Sequence, residues 1–143
     1  ALPQVRTIGG CDFLLLNTSR PSNLLCSWGF VSRADSRYIE EFCRTPKQRP
    51  RILVGHYPLY EEHPFLRIRH RLFGQRKLQE LLENGAIDLA LCGHVHRPYR
   101  HLTPKGYGEN CAGSVTLNGS MTQIDCDPAG GRFQFEQIHL VRA

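Results

Sequence analysis

The chain has 143 residues, enough for one domain whose single core buries roughly 70% of its unfolded surface. Hydrophobic residues make up 41% and charged residues 22%, which excludes a disordered or collagen-like chain. The net charge is +5, with arginine supplying 15 of the 18 basic residues. Guanidinium grips phosphate with a two-pronged fork, so phosphate-bearing partners are favoured. No basic run with interleaved aromatics marks a nucleic-acid binder.

No apolar run approaches the roughly 18 residues that span a bilayer, and no export signal opens the chain. No membrane partner is expected. The six cysteines have neither zinc-knuckle nor redox spacing, so buried, reduced thiols and a cytoplasmic location are expected.

Residues 5–8 and 13–17 read as strands around the turn Gly9-Gly10. Segment 18–30 reads as a loop punctuated by Pro21, Ser22, Asn23 and Gly29, with Trp28 and Phe30 turned into the core. A helix is predicted over 35–44, capped by Asp35 and ended by Pro46 and Pro50. Arg51 to Val54 is a short apolar strand, followed by an irregular stretch. A helix over 75–83 comes next, with Leu78, Leu81 and Leu82 on one face and Gly85 past its end. Residues 87–92 form a second apolar strand. Two wholly apolar strands flanking a helix indicate a parallel βαβ unit covered on both faces. The tail reads as antiparallel strands over 114–117, 121–126 and 132–141, the last with one wet face.

Ligands in open parallel sheets bind at the carboxyl ends of strands. Both parallel strands end there in Gly-His, at Gly55-His56 and Gly93-His94, and a right-handed connection puts both ends on one edge. His96 follows two residues after His94, and in extended chain such residues face the same way. Three imidazoles, His56, His94 and His96, are therefore expected to converge as metal ligands. Imidazole suits zinc, iron and manganese chemistry better than calcium or magnesium. His63, His70, His101 and His139 are taken as surface or hydrogen-bonding groups.

Ile52-Leu53-Val54-Gly55-His56-Tyr57-Pro58 and Leu91-Cys92-Gly93-His94-Val95-His96 resemble the last two motifs of the calcineurin-like metallophosphoesterases. Cys111-Ala112-Gly113-Ser114 resembles the segment that follows them, so the likeness runs over roughly residues 1–141. The resemblance implies an α/β fold, part of a metallophosphoesterase-type α-β-β-α sandwich. It implies a phosphate-ester substrate, a phosphomonoester or phosphodiester. It also implies two divalent ions (Mn, Fe or Zn), His56 and His94 holding one and His96 the other. The family's earlier Asp-x-His, Gly-Asp and Gly-Asn-His motifs have no counterpart. None of the five aspartates precedes a His by two places or follows a Gly, and no Asn precedes a His.

Residues 1–143 are thus expected to be one partial domain, the carboxyl-terminal half or a truncated form. The missing ligands would come from an amino-terminal half or a partner chain. An apolar edge or face should then lie uncovered.

Arg97, Tyr99 and His101 follow His96 and are candidate substrate-binding residues. Arg67, Arg69, Arg71, Arg76 and Lys77 could clamp a phosphate but are read as a solvated loop and helix start. Glu61 and Glu62 are read as solvated, and Asp88 as structural. Two other functions stay open. One is a mononuclear three-histidine zinc hydrolase. The other is a non-catalytic metallophosphoesterase-like binding module.

Overall fold

A computed structural model describes residues 2–21, 27–61 and 63–140. Cys26, Glu62 and Val141 lie outside the described residues, as does 22–26 of the expected loop. The hairpin of β1 (Gln4–Ile8) and β2 (Cys11–Leu15) turns at Gly9 and Gly10, whose φ angles are 56° and 79°. Two successive positive φ values are what a two-residue hairpin turn demands.

After β3 (Gly29–Phe30) comes α1 (Arg33–Arg44), two residues longer at its start than expected. Asp35 is not the cap. The Ser32 hydroxyl accepts from the Asp35 N–H at 3.0 Å, and the Asp35 carboxylate accepts from the Ser32 N–H at 3.1 Å. This reciprocal box satisfies two orphan donors at once, which Asp35 as sole cap could not.

Then come β4 (Arg51–Val54), α2 (Pro64–Arg69) and β5 (Leu72–Phe73). The last two stand where irregular chain was expected. Helix α2 buries none of its residues, so it carries no apolar stripe to announce it. The predicted helix is α3 (Arg76–Glu83), and β6 (Leu89–Cys92) follows. β7 (Pro98–Leu102) and β8 (Gly108–Ala112) are strands that the sequence reading left unassigned. The strand expected over 114–117 is instead a helical turn, α4 (Val115–Asn118). The Ser114 hydroxyl accepts from the Leu117 N–H at 3.3 Å, and Gly119 closes the turn at φ 59°. A polar cap and a glycine stop override the β preference of Val115 and Thr116. β9 (Ser120–Asp127) and β10 (Arg132–His139) form the antiparallel tail, in register Ser120↔His139.

The main sheet runs β1-β2-β4-β6-β8-β7, with β2, β4, β6 and β8 mutually parallel and the outer strands antiparallel. The predicted βαβ unit is β4-α3-β6. Alternation along each strand separates two cores. Leu53 and Ala90 join Ile39, Leu78 and Leu82 under the helices. Ile52 and Leu89 join Cys11, Ile124, Phe133 and Phe135 under the β9–β10 hairpin. The hairpin thus covers the face expected to lie open. Leu78, Leu81 and Leu82 are buried, each contributing about 1.5–3 kcal/mol.

Two features brace the start of β4. The Asp88 carboxylate accepts from the Arg51 N–H at 2.7 Å and pairs with Lys47. The Arg51 guanidinium donates to the carbonyls of Cys43 (3.1 Å) and Thr45 (2.9 Å) at the end of α1. Among the described residues no helix is long and apolar enough to cross a membrane.

Gly85 ends α3 at φ 82°, and a Cβ there would lie 2.5 Å from the Tyr107 ring. Gly106 has φ 84° but open space around it. Gly106→Ala is expected to cost about 1 kcal/mol from backbone strain alone. Gly85→Ala should cost about 2 kcal/mol or more, because Tyr107 must also move. Urea melts of the two variants would check this, and equal losses would refute the steric part.

Candidate active site

The parallel ladder continues past both strand ends. The Gly55 N–H donates to the Leu91 carbonyl at 3.0 Å, and the Gly93 N–H to the His56 carbonyl at 3.1 Å. This locks the two Gly-His steps side by side. His94 Nδ1 lies 2.9 Å from His56 Nε2, and the ring centroids are 4.8 Å apart. The Tyr57 ring packs 4.2 Å from the His94 ring, held by a 2.7 Å bond between its hydroxyl and that of Ser27.

The far nitrogen of His94 meets a histidine that the sequence reading set aside. His94 Nε2 lies 2.7 Å from His70 Nδ1, at the end of α2. His94 is therefore the hub of a three-imidazole chain made of His56, His94 and His70. His94 and His96 take φ angles of 64° and 54°, so the chain is not extended there. The alternation argument that put His96 beside His94 does not apply. Left-handed backbone at two non-glycine residues costs of order 1–3 kcal/mol each and concentrates at functional sites. Burial, then the neighbouring His70, His56 and His96 rings, hold the His94 pKa down to about 4. Burial and the Arg69 charge lower that of His70. Neutral imidazole is the metal-binding form.

Glu61 is buried, not solvated, because the 57–61 loop folds back beside the histidines. Its Oε1 accepts from the His63 N–H at 2.9 Å and pairs with Arg97 at 3.2 Å. Its Oε2 is buried with no hydrogen-bond partner among the described residues. Arg97 thus stands near the cluster through Glu61. Tyr99 points elsewhere, its hydroxyl donating to Glu109 Oε1 at 2.6 Å. Glu109 is fully buried and also accepts from the N–H groups of Leu59 (2.6 Å) and Tyr60 (3.0 Å). His101 stacks on Tyr60, centroids 4.2 Å apart and planes 13° off parallel.

A tetrahedral ion bound about 2.0–2.1 Å from two imidazole nitrogens holds them roughly 3.3 Å apart. The His56–His94 contact of 2.9 Å needs to open by only a few tenths of an ångström to admit one. Two ions at short range need carboxylates to offset their repulsion. Glu61 faces the cluster, but its charge is already engaged by Arg97. Among the described residues no three His, Cys, Asp or Glu side chains converge on one ion. The donor set fits a single ion between His56 and His94 and does not by itself fit two.

A family model for calcineurin-like phosphoesterases matches residues 3–98, two thirds of the chain and both Gly-His motifs. The chain belongs to that family. Calcineurin-like phosphoesterases are in general metal-dependent hydrolases of phosphate esters. The matched span ends at Pro98, so Tyr99, His101 and the β9–β10 hairpin lie beyond it. No curated protein sequence matches the chain. Among solved structures, GAP50 of Plasmodium, the anchor in the inner membrane complex, aligns at 15% identity and a TM-score of 0.44. That alignment covers 80% of this chain and 37% of the Plasmodium protein. Vps29 of Entamoeba histolytica, complexed with zinc, aligns at 12% identity and a TM-score of 0.32. It covers 88% of this chain and 97% of Vps29.

Sequence reasoning missed His70 and Glu61 in this candidate site. Neither sits in a motif, and only the fold of α2 and the loop before it brings them to His94. The one available signal was Pro64 after His63, which favours a helix start at that point.

Proposed function

We propose that the protein is a metal-dependent hydrolase of phosphate esters whose ion is held by His56 and His94, with His96 left to a second ion where one is completed. The observation that carries this is the 2.9 Å approach of His56 and His94 at adjacent parallel strand ends inside the matched family span. His56 and His94 would hold a divalent ion there, which would supply Lewis-acid polarisation of a phosphoryl oxygen and a more acidic water. His94 is kept neutral and ready to ligate by its burial and its imidazole neighbours. Tyr57 buttresses its ring. Arg97 supplies a guanidinium beside the site for the phosphate, with Glu61 setting its position.

A two-ion centre would be completed by acidic side chains from another segment or a second chain. Manganese, iron and zinc all suit the imidazole donors. A cytoplasmic location, expected from the cysteine usage, belongs to the same proposal. Cys11, Cys43, Cys92, Cys111 and Cys126 are free thiols.

The test is hydrolysis of p-nitrophenyl phosphate and bis(p-nitrophenyl) phosphate with Mn(II), Fe(II) or Zn(II), before and after chelation. Turnover that needs the metal and stops with chelator is expected. A rate unchanged by chelator would refute the proposal. Metal bound at one ion per chain with turnover would favour the mononuclear form. Metal bound without turnover would favour a non-catalytic binding module.

A further inference from the structure

Beside the histidine cluster lies a cleft of about 710 Å³, within the roughly 300–1,000 Å³ of small-molecule sites. His70 and Glu61 are among its lining residues, so it adjoins the candidate active site. Its other walls carry features that the phosphoesterase reading does not use.

Trp28 was expected in the core, yet it is 41% exposed, and Phe73 beside it is 37% exposed. The two rings meet edge to face with centroids 5.8 Å apart, and the Trp28 N–H donates to the Ile68 carbonyl. Large aromatics fixed in place in the wall of a cleft offer a flat group a surface to stack on. The Tyr60–His101 stack forms a second aromatic wall in the same cleft. Arg67 and Arg71 line it as well, and among the described residues neither pairs with a carboxylate. The Arg71 guanidinium lies 4.8 Å from the Phe73 ring, which leaves its edge free to take an anion. Glu61 is neutralised by Arg97. The cleft is therefore aromatic and cationic at once.

We propose that this cleft binds the nucleoside part of a nucleotide-type phosphoester, which leaves through its sugar oxygen as an alcohol when water attacks the phosphorus. The base stacks on Phe73 and meets the perpendicular Trp28 ring at its edge, and the phosphate turns toward Arg71, His70 and His94. This rests on the phosphoesterase reading and adds a substrate class to it. It also gives the arginines between the two histidine motifs a role that the sequence alone left open.

Trp28 is the single tryptophan, so its fluorescence reports this cleft directly. The full chain would be titrated with AMP and, separately, with ribose 5-phosphate, no metal being needed. AMP should quench Trp28 saturably, whereas ribose 5-phosphate should not. Base stacking on an aromatic ring supports an expected weakening of AMP binding by about tenfold in Phe73→Leu. That variant keeps the apolar bulk and so the fold. Arg71→Gln should weaken AMP by a similar factor and leave adenosine unchanged. No quenching by AMP, equal quenching by ribose 5-phosphate, or wild-type AMP affinity in both variants would overturn the proposal. The same samples are assayed for metal-dependent hydrolysis. Hydrolysis without AMP binding sinks the cleft assignment alone. AMP binding that obeys the variants, without hydrolysis, supports the cleft and sinks the catalytic reading.

Discussion

Replacing His94 with alanine is expected to lower metal affinity at least a hundredfold and to bring ester hydrolysis down to the level seen with chelator. Loss of a group that merely orients a ligand already costs about 10–100-fold in metal affinity. His94 does more than orient. It is the one imidazole in contact with both His56, at 2.9 Å, and His70, at 2.7 Å. His70→Ala should cost about tenfold, because it frees the far nitrogen of His94 without removing a proposed ligand. His139, exposed at the end of β10, should be silent on substitution. Calorimetric titration with Zn(II) and the bis(p-nitrophenyl) phosphate assay would measure all three. A His94→Ala protein that binds and turns over like the wild type would remove the basis of the proposed site.

Glu109→Leu is expected to destabilise the fold by about 3–5 kcal/mol. Each buried donor left without a partner costs about 1–3 kcal/mol, and three lose theirs here. These are the N–H groups of Leu59 and Tyr60 and the hydroxyl of Tyr99. The loop after β4, which carries Glu61 and follows His56, is anchored to β8 through this one side chain. Loss of stability should therefore come with looser metal binding. Urea unfolding read by circular dichroism gives the first quantity, and a loss below about 1 kcal/mol would show the three bonds to be replaceable by water.

The same residue sets a pH dependence. Burial holds the Glu109 carboxyl above the usual carboxylate range, against the hydrogen bonds from Tyr99, Leu59 and Tyr60 that favour the anion. A folded pKa above the unfolded value of about 4.3 means that the native state binds the proton more tightly. The contribution is full below the unfolded pKa and is lost as pH rises through the elevated folded value. Glu109→Gln lacks this titration. Its deficit relative to the wild type should therefore shrink as pH is raised toward neutrality, and a constant deficit would contradict the assignment.

The parts of the fold legible in the sequence are those that depend on short-range rules. Arg51 to Val54 and residues 87–92 are apolar runs bounded by turn residues, and a helix with three leucines on one face lies between them. That pattern admits little besides a parallel βαβ unit. Gly55-His56 and Gly93-His94 could be placed at one sheet edge because strand ends in such a unit share an edge. The cap of α1 lies three residues before Asp35 because Ser32 and Asp35 both carry capping side chains, and only the reciprocal pair of bonds picks the first. The strand expected over 114–117 failed for the opposite reason. Ser114 and Gly119 are local signals too, but Val115 and Thr116 between them speak for a strand.

The α/β class, the family, the two Gly-His motifs and the amphipathic tail can be read from the chain alone, since each follows from neighbours within a few residues. Folding in three dimensions is what joins His70 to His94, buries Glu61 against Arg97 and lets Glu109 anchor the loop after His56. Folding also sets Trp28 in the wall of a cleft instead of in the core. Each of these contacts joins residues at least 24 positions apart or turns on which face of a loop meets water. Burial of a polar or aromatic side chain is a property of the packed assembly, and no periodicity in the chain encodes it.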